Sequence, residues 1–439
     1  MSTFSNKRSK PFIEQTVVNR DVLQLIFDKL SLVDLFRCKQ VSSSWNSCIK
    51  FMKIPPCLML PKPKDEDGDD HTNNHHHRFF SLSYKKDTEE FYKFHTEIID
   101  DHDTLFLGSS SGCLVILNKS QKNSFLLNPF SGQKLHLPSI KTLPPPTTTS
   151  QNRHYFLHNT NHTTFVSKAI VVLSVSDSGE DKKERNDNNT WVVIIHGYVS
   201  RKLAYCKAGG DSWTNLEDSD IPNMSFCDIL GHRGRLYALS SSNTVQVWDF
   251  QSNTSGSFPT KVMSFVPSSQ PCLGLDSGKF LQDRYFCQSY LVESMGEFLL
   301  VTRIVGNFVN SDGELLDEAD LLDDESTHPL ICPYATVAFC VHKMKMNEWE
   351  KVDSLGGRAI FIGGSESMSC STEFLPEYHG NSIYFTDDNW DEMTTDYLYG
   401  GHDNGVYSMD TKAVAVQPWL QIHGHKINPP PLWLLPRLY

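Results

Sequence analysis

Apolar residues recur at helical spacing in one region of the chain, from about Asn19 to Met52, and at strand spacing over most of the remainder. Val22, Leu23, Ile26, Phe27 and Leu30 line one broad face, with Asp21, Gln24, Asp28 and Lys29 mostly elsewhere, which predicts an amphipathic helix. Ser31-Leu32-Val33-Asp34 has the form of a capping box, so a second, short helix should carry Leu35, Phe36 and Cys38. After Val41, the Ser42-Ser43-Ser44 run offers a further N-cap, ahead of Trp45, Cys48, Ile49 and Met52 at three- and four-residue spacing. Pro55-Pro56 stops that third helix. So small a helical module falls below the ~40 residues at which domains usually need a metal, a disulfide or a partner. Periodicity alone leaves two readings, a module that expects a partner and a helical cap on a larger domain.

Beyond about Thr104 the pattern becomes short β-type runs between turn residues. Cys113–Leu117, Phe125–Leu127, Ala169–Leu173, Trp191–Ile195, Leu236–Leu239 and Val245–Trp248 are followed by Phe298–Val301, Val337–Val341, Ile360–Ile362, Ile383–Phe385 and Val406–Met409. Strands this numerous, with little helical periodicity between them, predict a propeller, sandwich or barrel rather than alternating α/β units. An apolar strand, a polar turn and a strand opening on an aromatic recur before Trp213, at Val247-Trp248 and before Trp349, which favours four-stranded propeller blades. Three polar insertions, from Pro144, from Glu180 to Asn189 and from Asp312 to Glu325, read as loops and leave the number of blades open. The expected order is a tail over 1–15, the helical module over 16–55, a linker with an acidic and His-rich loop over 56–103, the β-domain over 104–425 and a tail over 426–439.

Composition narrows the function classes. The net charge of −12 and the absence of a Lys/Arg stripe argue against nucleic-acid binding. No stretch reaches the ~18 apolar residues that spanning a bilayer needs, and no secretory apolar run follows Lys7, Arg8 and Lys10. The 11 cysteines are odd in number and lack C-x-x-C pairs, unlike a disulfide framework or a zinc site. A soluble chain of the cytoplasm or nucleus is the expectation, with no cofactor, no metal and no membrane partner.

Candidate chemistry is sparse. Gly108-Ser109-Ser110-Ser111-Gly112 fits G-x-S-x-G, but a nucleophile elbow needs a helix after the serine and a β-run follows at Cys113. His75, His76 and His77 fall in polar linker sequence, and His154, His158 and His162 in residues that disfavour the helix their spacing would need. The acidic runs Asp65 to Asp70 and Asp312 to Glu325 lack the glycine placement of a calcium loop. No phosphate-binding glycine motif appears, so no catalytic residue is nominated.

The segment Val18 to Leu30, followed by Asp34-Leu35-Phe36-Arg37-Cys38-Lys39-Gln40-Val41-Ser42-Ser43-Ser44-Trp45, closely resembles an F-box. The remainder resembles the KIB-like group of plant F-box-associated β-propellers. That likeness rests on Gly108 to Val115, Leu127-Asn128-Pro129-Phe130-Ser131-Gly132 with Leu137-Pro138, Trp349-Glu350-Lys351-Val352 with Ser354-Leu355-Gly356, Ile360 to Gly363 and Asn381 to Asp388. The resemblance implies a mainly β chain, with a three-helix F-box ahead of a β-propeller. It further implies a substrate-receptor subunit of a Skp-cullin-F-box ubiquitin ligase. In that role Val22, Leu23, Ile26, Leu30, Leu35, Val41 and Trp45 would serve binding of a Skp-type adaptor, which links to a cullin, while the propeller holds an unknown target protein. Val18-Asn19 stands where F-boxes usually open with Leu-Pro. The competing expectation, a propeller scaffold or enzyme whose lapsed F-box is only a helical cap, rests on that departure.

Overall fold

A computed structural model of the chain describes residues 19–27, 29–30, 32–39, 41–49, 56–60, 78–80, 92–93, 104–118, 124–144, 166–174, 190–197, 200–216, 224–251, 259–271, 284–309, 332–373, 375, 378–389, 400–415, 427 and 430–435. Two compact units divide it, Met1–Lys53 with Leu438–Tyr439, and Ile54–Arg437.

The first unit contains three helices, α1 (Arg20–Phe27), α2 (Leu32–Lys39) and α3 (Ser43–Ile49). Asn19 caps α1, its Oδ1 accepting from the Asp21 N–H at 3.0 Å. Ser42 caps α3 in the same way, its Oγ accepting from the Trp45 N–H at 3.3 Å. In α2 the acid Asp34 lies in the first turn and Arg37 and Lys39 in the last, each complementing the helix dipole. Leu23, Phe27, Leu35, Cys48 and Ile49 are buried. The Phe27 and Trp45 rings meet edge to face with centroids 5.4 Å apart.

The second unit is propeller-like. Among the described residues it contains six sheets, five of four strands and one of five. The strands expected from the apolar runs all form, and each run lies inside a strand except that Met409 follows the strand Gly405–Ser408. In three sheets the innermost strand turns into the second across two residues: Ser110 pairs with Cys113, His232 with Arg235, and Ser294 with Glu297. Both residues of each turn have positive φ, Ser111-Gly112, Arg233-Gly234 and Met295-Gly296. This is the type I′ geometry whose twist matches that of the flanking strands, and it marks the same corner of three of the six sheets.

Apolar faces of neighbouring sheets interdigitate around the ring. Leu107, Val115 and Leu126 pack with Val171 and Ile194. Ile170 and Val193 pack with Leu236 and Trp248, Val245 and Phe265 with Leu300 and Trp349, and Val301 and Phe339 with Ile383 and Phe385. Phe361 and Tyr384 pack with Leu58 and Trp433, which belong to the last sheet.

That last sheet corrects the expected boundaries. Cys57–Leu60 pairs antiparallel with Leu432–Leu434, so residues assigned to a linker and to a C-terminal tail close the ring from opposite ends of the chain. The β-unit accordingly runs from Ile54 to Arg437 rather than over 104–425. The expected N-terminal tail, the Ser31 cap, the histidine triplets, both acidic runs, the Glu180–Asn189 loop and most of the proline loop lie outside the described residues.

One irregular crossing stitches the inner strands together. Residues 363–367 connect Arg358–Ile362 to Met368–Ser371, and Glu366 donates its N–H to the Ser109 carbonyl at 2.8 Å. Its carboxylate accepts from the Ser110 hydroxyl at 2.6 Å and from the Gly231 N–H at 2.9 Å. Ser110 Oγ in turn accepts from the Val171 N–H at 2.8 Å. The G-x-S-x-G serine is thus a buried strand residue holding three sheets, not a nucleophile. Gly108 is required by the same crossing: with φ of +136°, a Cβ there would overlap the Gly364 carbonyl. Gly108→Ala should cost about 3 kcal/mol in urea unfolding, from strained φ plus overpacking. Gly132→Ala, at a positive φ with nothing within 4 Å of the added atom, should cost about 1 kcal/mol. Equal losses would contradict this account.

Candidate functional site

Apolar residues of α1 cover more than one side of a helix, and the fold divides them. At 100° per residue, positions 25, 22, 26, 23 and 27 follow one another over an arc of roughly 200°. Leu23 and Phe27, at one end of the arc, enter the module core. Leu25, Val22 and Ile26, at the other end, are 68%, 47% and 44% exposed, and Leu30, three residues beyond the helix, is half-buried. Val41, just before α3, is also exposed. Of the seven residues nominated from sequence, Val22, Ile26 and Val41 face outward, Leu23 and Leu35 are core, and Leu30 and Trp45 are partly covered. Leu25 was not nominated, although its spacing of three from Val22 places it on the same surface.

The β-unit carries a second candidate. A cavity of about 340 Å³ opens where the inner strands Val166–Leu173, Phe226–His232 and Tyr285–Ser294 begin. Lys168, at its wall, contacts Asp228 at 2.5 Å, with both side chains almost fully buried. Asp228 also accepts from the Leu291 N–H at 2.6 Å, which ties two neighbouring inner strands. Burial raises the Asp228 carboxyl, opposed by the charge of Lys168.

Arg303 is 1% exposed in the middle of a strand. Its Nη2 donates to Asp403 at 2.7 Å, its Nη1 to Asp388 at 3.1 Å and to the Thr386 carbonyl at 3.0 Å, and its Nε to the Thr336 hydroxyl at 2.6 Å. Burial opposes the guanidinium charge, but Asp403, then Tyr290 and Asp388, hold its pKa above the ordinary value. Tyr290 donates its hydroxyl to Asp388 at 2.9 Å, and burial keeps that phenol well above its usual range. Asp387 accepts from the Tyr334 hydroxyl at 2.8 Å. Burial, then Asp403, push Asp387 up to about 6 from an ordinary 3.8.

The Asp387 shift sets the sign of a pH effect. A carboxyl that binds its proton more tightly when folded stabilises the fold most below its unfolded pKa and loses that contribution as pH rises through the folded one. Between pH 7.5 and pH 5.0 the wild type should therefore gain about 1 kcal/mol relative to Asp387→Asn. Parallel urea midpoints for the two proteins would refute the shift.

Residues 19–55 match the family model described as F-box domain, and residues 79–408 match that described as KIB1-4 beta-propeller. An Arabidopsis thaliana protein bearing an F-box name is 22% identical over 87% of this chain and 85% of its own length. An F-box protein of the same plant is 26% identical over 57% of this chain and 59% of its own. Among solved structures, the N-terminal domain of Nup159 aligns over 65% of this chain and 58% of that chain at 11% identity, with a TM-score of 0.28 that carries no argument.

Proposed function

Because this chain belongs to the KIB1-4 beta-propeller family and carries an F-box domain, we propose that it is a substrate-receptor subunit of a Skp-cullin-F-box ubiquitin ligase. The helical module docks on a Skp-type adaptor, and the β-unit holds a target protein. The chain performs no bond chemistry of its own; it raises the effective concentration of target lysines near activated ubiquitin carried by other subunits. The cytoplasm and nucleus, where such complexes act, are its proposed setting.

The observation that carries this reading is the exposed apolar triplet Val22, Leu25 and Ile26 on α1, with Val41 beside α3. A three-helix module with its core already filled by Leu23, Phe27, Leu35 and Ile49 gains nothing from exposing three more large apolar residues. Laid into a partner's groove, those residues follow the i, i+3, i+4 pattern of helix recognition. The exposed set, rather than the buried Leu23 and Leu35, is therefore assigned to the adaptor.

The test is reconstitution. Mixed with a purified Skp-type adaptor and a cullin, the chain should elute in one ternary complex on size exclusion, and omission of the adaptor should release it. A chain that elutes alone in the full mixture would refute the assignment.

A further inference from the structure

We infer that the cavity at the mouth of the β-unit reads a primary carboxamide, the side chain of an Asn or Gln on an extended segment of the target. This inference rests on the receptor reading above and names the chemistry of its target.

Charge in the cavity wall is compensated within the chain. Lys168 lies 2.5 Å from Asp228, with both side chains enclosed. Asp388 lies 3.1 Å from the buried Arg303, and Arg201 has partners of its own. A charged ligand would give up its hydration without gaining an open counter-ion, a loss that a neutral polar ligand avoids.

What the ion pairs leave over is one donor and one acceptor. Asn389 lines the cavity, is 8% exposed, and its Nδ2 has no partner among the described residues. A buried amide donor in that state carries a desolvation cost that an incoming carbonyl would remove. The acceptor follows from counting protons at Tyr290. Its hydroxyl lies within 3.1 Å of three acceptor atoms, Gln288 Oε1 and both oxygens of Asp388, yet has a single proton to give. With that proton on Asp388, at the shortest distance of 2.9 Å, Gln288 Oε1 in the cavity wall is left without a donor among the described residues. A carboxamide answers both needs, its oxygen accepting from Asn389 and its N–H groups donating to Gln288. A carboxylate has no N–H to give, and an apolar side chain answers neither.

The volume, about 340 Å³, lies at the small end of ligand pockets and suits one or two side chains rather than a folded surface. At the other ends of the inner strands Glu366 ties Ser109, Ser110 and Gly231 together, so the target presents a side chain from the mouth instead of threading the ring.

Cys287 is exposed and lines the same cavity, so its alkylation reports occupancy. With the full chain at pH 8.5, iodoacetamide alkylation of Cys287 is followed by peptide mass spectrometry against increasing N-acetyl-glutamine N-methylamide. The corresponding glutamate and methionine compounds match its size, and the glycine compound supplies backbone amides alone. The glutamine compound should halve the alkylation rate at a concentration on the order of 1 mM, as expected of so small a ligand, and at least fivefold more potently than the other three. Asn389→Leu is close in shape and removes the donor. It should keep the wild-type melting profile, since the Nδ2 it replaces has no partner to lose, and should weaken the protection at least fivefold. Protection by any of the other compounds equal to that by glutamine, no protection by glutamine, or undiminished protection in Asn389→Leu would overturn the proposal. The four compounds are compared on the wild-type chain, which requires no variant to fold. Because no adaptor is present, failure here leaves the receptor reading standing, and failure of the ternary complex leaves this measurement unaffected.

Discussion

A chain ending at Pro429 is expected to lose the cooperative fold of the β-unit, although it lacks only the last ten residues. Leu432–Leu434 is the inner strand of the closing sheet, and all three side chains are buried. Trp433 meets Phe361 edge to face at 5.0 Å, and its carbonyl accepts from the hydroxyls of Ser365, at 2.6 Å, and Ser109. Removing two buried leucines and a buried tryptophan forfeits on the order of 8 kcal/mol at ~2–4 kcal/mol each. That is comparable with the ~5–15 kcal/mol total stability of a domain. It also leaves Cys57–Leu60 paired on one side only, with Arg78–Phe80, and the two buried hydroxyls without their acceptor. Circular dichroism should show a broad, early melt. A sharp transition within a few degrees of the wild type would mean that the ring does not depend on this closure. Trp433→Ala, losing about 4 kcal/mol, is the graded version of the same experiment.

Arg303→Met should be the most damaging single substitution in the polar interior. The methionine retains much of the volume but leaves Asp388 and Asp403 buried with no cation between them, a change that costs about 3–5 kcal/mol where buried pairs have been broken. Arg303→Lys should recover little, since a point charge cannot reach Asp388, Asp403, Thr336 and the Thr386 carbonyl together as the planar fork does. Acidification distinguishes this mechanism from loss of packing. With the cation gone, the carboxyls bind protons more tightly than before, so the variant should regain stability relative to the wild type as pH falls from 7.5 to 5.5. Urea midpoints at the two pH values decide it, and a deficit independent of pH would point to packing instead.

The parts of this fold that were legible in the sequence are those with local causes. Apolar runs such as Ala169–Leu173 and Trp191–Ile195 carry β-branched residues between turns, and they form strands where expected. The helix caps at Asn19 and Ser42 likewise follow from residue type and position. The closing strand gave no such signal. Leu432-Trp433-Leu434 lies in a run of only four residues between Pro431 and Pro436, and its partner Cys57–Leu60 lies at the other end of the chain. The repeated turns at Ser111-Gly112, Arg233-Gly234 and Met295-Gly296 could have been found as a residue and a glycine between two β-runs, and they would have aligned three of the sheets.

The candidate sites divide in the same way. Arg303 stands inside the apolar run Phe298–Val305, which signals a buried charge with a partner, but Asp388 and Asp403 are about a hundred positions away and only the fold brings them together. Lys168 and Asp228 meet across two sheets for the same reason. In α1 the periodicity showed a wide apolar face without showing where the core ends and the free surface begins. Burial in the folded module assigns Leu23 and Phe27 inward and leaves Val22, Leu25 and Ile26 outward.

The measurement that bears most directly on the receptor assignment is a calorimetric titration of a Skp-type adaptor into the full chain. Wild type is compared with Val22→Asp/Ile26→Asp, and with Val262→Asp/Val266→Asp, which changes two exposed apolar residues on or just beyond an outer strand of the β-unit. Each α1 aspartate replaces an exposed apolar contact, so both doubly substituted chains should keep the wild-type melting profile. The account predicts that wild type and the β-unit variant bind alike, and that the α1 variant binds at least a hundredfold more weakly, about 3 kcal/mol, as expected when two central apolar anchors are lost. Undiminished adaptor binding by the α1 variant, or no binding by the wild type, would contradict it.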